Sequence, residues 1–164
     1  LRSLALRAPT SSSHGSTLSQ VVHSWVLARM DRDRAWKLFN EALESDIADV
    51  QGGTTAEGIH LGAMAGTVDF VQRGLLGLEI YNGVFLLDPR LPDELRSLRF
   101  SIHYRGSWLD LDLDHERFII GVPSDWPGPE RITVSGKQLV LQAGHRLELL
   151  RAPEQGGWKP VTGS

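Results

Sequence analysis

From Leu18 onward, apolar residues return at Val21, Val22, Trp25, Val26 and Met30, the three-to-four spacing of one helix face. A second run at that spacing takes Ala35, Leu38, Phe39, Ala42 and Leu43, with Asp31 or Asp33 placed to cap its start. A third takes Leu61, Met64, Ala65, Val68, Val71 and Leu75, with Gly62, Ala63 and Gly66 set between them. Such small residues let another backbone come close, at a cost in helix propensity of about 1 kcal/mol for each glycine. The first part of the chain therefore predicts three helices.

Near Gly77 the period changes. "LEIYNGVFLLDP" places Asn82-Gly83 between two apolar runs, a strong hairpin signal. Further on, Leu109, Leu111 and Leu113 alternate with Asp110, Asp112 and Asp114, the period of a half-buried strand. Short runs at "RITVSG", "KQLVLQAG" and "HRLELLRA" follow, each bounded by glycine or proline, and "SGKQ" at Ser135 to Gln138 reads as a hairpin turn. Several short strands at this spacing predict a β-sandwich. The last stretch, "PEQGGWKPVTGS", has turn formers and little periodicity. The expected organisation is α+β: helices over residues 1–77, a small β-sandwich over 78–151 and a flexible tail over 152–164. Three helices alone make a thin domain, and Trp25, Trp36 and the small-residue face of the third helix look built to pack against helices outside this chain.

Composition narrows the function classes. The chain has 164 residues, of which 41% are hydrophobic, enough for a core. Its net charge is −3 with Lys and Arg scattered, so it offers no basic face to nucleic acid. It contains no cysteine, which excludes disulfides, thiolate metal sites and cysteine nucleophiles. No apolar run approaches the ~20 residues of a membrane span. No secretory leader is recognisable in the opening residues, so the expected location is the cytoplasm. The start at Leu1, "LRSLALRAP", without methionine, leads us to expect a fragment or a processed product.

Two loops carry the candidate chemistry. In "GGTTAEGIHLGAMAGT", Gly52 to Thr67, Thr54 and Glu57 fit a capping box, which places a helix start at Thr55 and His60 in its second turn. The free N–H groups and the dipole of such a helix start favour an anion, and Gly53 lets a ligand approach the backbone. The alternative is an ordinary capped helix with a packed His60. "TSSSHGSTLS", Thr10 to Ser19, has the same character, holding His14, Gly15, Ser16 and Thr17 at the start of the first helix. No Asp or Glu occurs from Leu1 to Met30. Hydroxyls and imidazoles on two helix starts together suit a phosphate. Asp110 to Asp114 fails as a calcium loop, since His115 and Gly121 stand where an EF-hand needs Gly and Glu, so it reads as a solvated strand face and no metal is expected.

"SHGSTLSQVVHSWVLAR" followed by "DIADVQGGTTAEGIHLGAMAGTVDFVQRGLLGLE" resembles the C-terminal part of glycoside hydrolase family 65. These are disaccharide phosphorylases and hydrolases acting on trehalose, maltose, kojibiose and similar sugars. The resemblance runs from about Ser12 to Arg151; residues Leu1 to Ser11 match poorly, which implies a truncated or disrupted reading frame. It implies that the helices are the last ones of an (α/α)6 catalytic barrel and that the sandwich is the C-terminal domain. By position it assigns phosphate binding to Ser16, Thr17 and His60, with Gly15, Gly53 and Thr54 shaping the loops, and it puts the general-acid glutamate upstream of this chain. It further implies no cofactor, phosphate as co-substrate, a disaccharide as the other substrate, and a homodimer of the full-length enzyme. Inverting glycosidases need a second carboxylate to activate water, whereas phosphate is its own nucleophile. The carboxylate-free first loop favours inverting phosphorolysis. The rival expectations are hydrolysis by water, with Glu57 or an upstream carboxylate as base, and a non-catalytic remnant or carbohydrate-binding piece.

Overall fold

The computed structural model describes residues 17–28, 30–44, 60–152 and 157–161. Helix α1 spans Thr17–Leu27 and turns Val21, Ser24 and Ala28 inward. The buried hydroxyl of Ser24 donates to the Val21 carbonyl at 2.7 Å, so its burial leaves no unpaired donor. Helix α2 spans Arg32–Glu44 and is started by Asp31, whose carboxylate accepts the Arg34 N–H at 3.1 Å. It buries Ala35, Phe39 and Ala42. Helix α3, Leu61–Asp69, runs on into a π-helix at Phe70–Leu75. The widened turn is closed by the Leu76 N–H on the Val71 carbonyl at 3.2 Å.

The three helices pack through their smallest residues. Ala63 and Gly66 of α3, Val21 of α1 and Ala42 of α2 are buried together with Met64 alongside. Phe70 stacks on Phe39 at 4.6 Å and Phe39 on Trp36 at 5.3 Å, forming the second half of the layer with Ala28 and Leu75. Much of the expected apolar stripe faces outward instead: Val22, Trp25, Val26, Met30, Leu61 and Val68 are all exposed. Close helix contact at Val21, Ala42, Ala63 and Gly66 is possible because these side chains are small, while the larger Phe39, Phe70 and Leu75 fill the other half of the layer.

The rest of the chain forms two sheets around one core. Strands β1 (Glu79–Tyr81), β2 (Val84–Leu87), β6 (Glu130–Val134) and β7 (Lys137–Leu141) form the first sheet in the order β1-β2-β6-β7, with β2 and β6 parallel. Strands β3 (Ser97–Tyr104), β4 (Ser107–Asp114), β5 (Arg117–Gly121), β8 (Arg146–Ala152) and β9 (Gly157–Pro160) form the second, antiparallel throughout. Phe85, Ile132 and Leu141 from the first sheet and Leu109, Leu111, Leu113, Phe118 and Ile120 from the second share one buried cluster. Three tight turns set the register, each with two residues at positive φ: Asn82-Gly83, Arg105-Gly106 and Ser135-Gly136.

The expected tail is corrected by β9. Gly157–Pro160 pairs with β8, and Trp158 is among the largest fully buried side chains. Its indole N–H donates to the Pro89 carbonyl at 2.9 Å, and its own carbonyl accepts from Lys137 Nζ at 3.2 Å. A four-residue strand has too few positions to show a period, so its burial is decided by partners far away in sequence.

Helices and sandwich meet at the end of the π-helix. Leu75 belongs to the helical core and Leu76 to the sandwich core. Their carbonyls accept from the Arg90 and Asp88 N–H groups at 2.7 and 2.8 Å. Gly77, at φ +59°, makes the turn between them with its backbone close against Asp88. Leu95 and Leu98 pack against both cores. A void of about 10 Å³ between Arg32, Trp36, Phe70 and Arg90 has room for one water. Burial first, and then the neighbouring Arg90, hold the Arg32 guanidinium below the usual arginine range.

Candidate anion site at two helix starts

Helices α1 and α3 run side by side in the same direction. Val21, near the start of α1, lies against Ala63 and Gly66 in the first half of α3. Ala28, at the far end, lies against Phe70 and Gly74 of the π-helix. The Trp25 indole N–H donates to the Gly66 carbonyl at 3.2 Å and ties the two helices together midway. Close approach is set by Gly66, where an added Cβ would overlap Val21 Cγ1. Thr67 turns its hydroxyl back onto the Met64 carbonyl at 2.7 Å, so it needs no partner from outside.

Parallel packing has an electrostatic consequence. Thr17, the first residue of α1, and His60, the residue before α3, come to the same end of the layer. Two helix starts there point the positive ends of their dipoles in one direction. Helix α2 runs oppositely: Ala42 near its end meets Val21, and Gln20 Nε2 donates to Glu41 at 3.4 Å.

His60 is one position where the structure departs from expectation. The helix begins at Leu61, with His60 as its N-terminal flanking residue rather than a member of its second turn. The His60 carbonyl accepts the N–H groups of Ala63 and Met64 at 2.9 and 3.1 Å, and its side chain makes no capping bond. Ser16, Gly15, Gly53 and Thr54 lie outside the described residues, as do Glu57 and the expected capping box. Among the described residues no three His, Asp or Glu side chains are grouped to hold a metal ion, and no helix is long and apolar enough to cross a membrane.

Comparison with known proteins places both parts of the chain. Residues 9–69 match the glycosyl hydrolase family 65 central catalytic domain, and residues 78–141 match the family 65 C-terminal domain. An uncharacterized glycosyl hydrolase of Mycobacterium tuberculosis H37Rv is 44% identical over 137 residues, covering 84% of this chain and 10% of its own. Trehalose 6-phosphate phosphorylase of Lactococcus lactis is 34% identical over 113 residues, covering 68% of this chain and 15% of its own. The alpha,alpha-trehalose phosphorylase of Geobacillus stearothermophilus is 34% identical over 139 residues, covering 83% and 18%. The solved structure of a candidate kojibiose phosphorylase from human microbiome superposes with a TM-score of 0.73 at 27% identity, over 85% of this chain and 18% of that one. The chain thus spans 10% to 18% of the length of these proteins.

Proposed function

The chain belongs to glycosyl hydrolase family 65, and on that premise we propose that it is the C-terminal part of an enzyme that cleaves an α-glucosidic disaccharide with inorganic phosphate. Residues 1–77 contribute the last helices of an (α/α)6 barrel, and residues 78–151 the C-terminal domain with β9 added to it. The observation that carries this reading is the shared direction of α1 and α3, which brings Thr17 and His60 to one end. An oxyanion at that end meets two positive dipole ends.

In this reading Ser16 and Thr17 donate hydroxyl and backbone N–H groups to phosphate, His60 donates from the start of α3, and Gly15, Gly53 and Thr54 let the backbone approach. A phosphate oxygen attacks the anomeric carbon while the glycosidic C–O bond breaks. A carboxylic acid upstream of this chain gives its proton to the leaving oxygen. Attack from the face opposite the leaving group inverts the centre and yields β-glucose 1-phosphate. No second carboxylate is required, in keeping with a first loop that carries none. Phosphate enters as a co-substrate.

The test is His60→Ala in the full-length enzyme. Loss of one hydrogen bond to a charged group predicts a fall of about tenfold to a hundredfold in kcat/KM for phosphate. Unchanged phosphate dependence rules out this role. Sugar release at full rate without phosphate rules out phosphorolysis and leaves hydrolysis. The isolated chain, which lacks the acid, is expected to show no turnover.

A further inference from the structure

The outer face of the five-stranded sheet carries an arrangement that the helix ends do not explain. Trp158, the other tryptophan on this sheet's strands, is buried in the core, yet Trp108 on β4 is 60% exposed. Its ring lies 5.1 Å from that of His103, its cross-strand partner on β3. The next outward pair along these strands is Ser101 with Asp110, and the next Arg99 with Asp112. On the other side of β4, Asp110 faces Gly121 of β5, and Gly121 faces Arg146 of β8. Trp108 precedes Asp110 by two positions, on the same outward face of β4.

Gly121 has no side chain, so the row from Ser101 to Arg146 dips at its middle. A Cβ there would sit 3.4 Å from that of Asp110, an ordinary contact, so packing does not require a glycine at this place. The dip opens into a shallow groove of about 620 Å³. Ile119 and Gly121 floor it, with Asp110 and Asp112 on one side and His145 and Arg146 on the other; Trp108 stands beside this lining, two residues before Asp110 on the same face of β4. Its polar groups are held in place: Ser101 donates to Asp110 at 2.6 Å, and Arg99 pairs with Asp112 at 3.0 Å. Each carboxylate retains acceptor capacity beyond that bond.

Charges of both signs line the groove, so a strongly charged ligand meets repulsion on one wall. A neutral ligand with many hydroxyls, each both donor and acceptor, finds a partner on either side. An exposed indole next to such a lining suits a flat apolar face. A pyranose ring has both properties, and an open groove suits a chain of them better than a single enclosed ring. We propose that the groove between Trp108 and Arg146 binds a neutral glucan chain, with sugar C–H faces on Trp108 and hydroxyls on Asp110, Asp112 and Arg146. This site does not rest on the phosphate reading: it lies on the sandwich, whereas the phosphate groups lie on the helices.

The test is affinity electrophoresis of the full-length enzyme through gels containing soluble starch, with Trp108→Ala and Gly121→Leu as variants. The first removes the platform and the second fills the dip. Wild-type retardation is expected, weakened about tenfold in apparent affinity by either variant, with turnover of the disaccharide unchanged. Added maltose that relieves retardation shows that short sugars also occupy the groove; failure to relieve it shows that only a chain does, and both outcomes support the site. Free migration of the wild type overturns the proposal, as does full retardation of Gly121→Leu. A large loss of thermal stability in Trp108→Ala, with no wild-type retardation, shows the indole covered by the rest of the enzyme and also overturns it.

Discussion

The sandwich and the helical layer solve the same problem to different degrees. In the sandwich, two sheets cover one another, and the apolar side of β4 is buried at Leu109, Leu111 and Leu113. In the layer, Phe39, Phe70 and Leu75 are covered together with the small residues, while Trp25, Val26, Met30, Leu61 and Val68 stay in water. The difference teaches that the chain contains one finished core and one partial core, joined through Leu75 and Leu76.

The largest test of that contrast is separation. Residues 78–161 expressed alone should unfold in one cooperative step, whereas residues 1–77 alone should aggregate or show no cooperative transition. Cooperative melting of the helical piece would break the comparison. Next in size is Trp158→Ala, which removes a buried indole and its bond to Pro89; about 3–5 kcal/mol should be lost in chemical denaturation of the whole chain. In the helical layer, Gly66→Ala forces a methyl into Val21, and a loss of about 1–3 kcal/mol is expected as α1 and α3 move apart. The smallest effect is at the outward face: Val26→Lys should change stability by no more than about 0.5 kcal/mol. It should still reduce self-association of the isolated chain in sedimentation, since Val26 is 62% exposed.

Much of the sandwich was legible from period and turn chemistry. The alternation at Leu109 to Asp114 and the turns at Asn82-Gly83 and Ser135-Gly136 are local signals, and the structure uses them as read. The Arg105-Gly106 turn is harder to read from sequence, because arginine at φ +51° is not a residue that announces a left-handed position. Strand β9 is not legible in the sequence, because four residues carry no measurable period. For the candidate site, the motif residues are visible in the sequence; the structure places His60 before Leu61 rather than in a second helical turn, and the expected start at Thr55 lies outside the described residues.

By itself the sequence determined where the described helices and most of the strands lie, β9 excepted, since side-chain period and turn residues act over a few positions. It also determined the family, through a loop motif whose residues are adjacent in the chain. Only the tertiary structure decided which helix face goes inward, because burial depends on what lies opposite: at Gly66 there is room for Val21, and around Val26 and Leu61 nothing described covers the side chain. It alone brought Thr17 and His60 to one end, since the relative direction of two helices far apart in sequence is set by how their surfaces mesh rather than by either helix. The groove at Gly121 has the same origin: a glycine, an aspartate and an arginine on three strands become neighbours only through register.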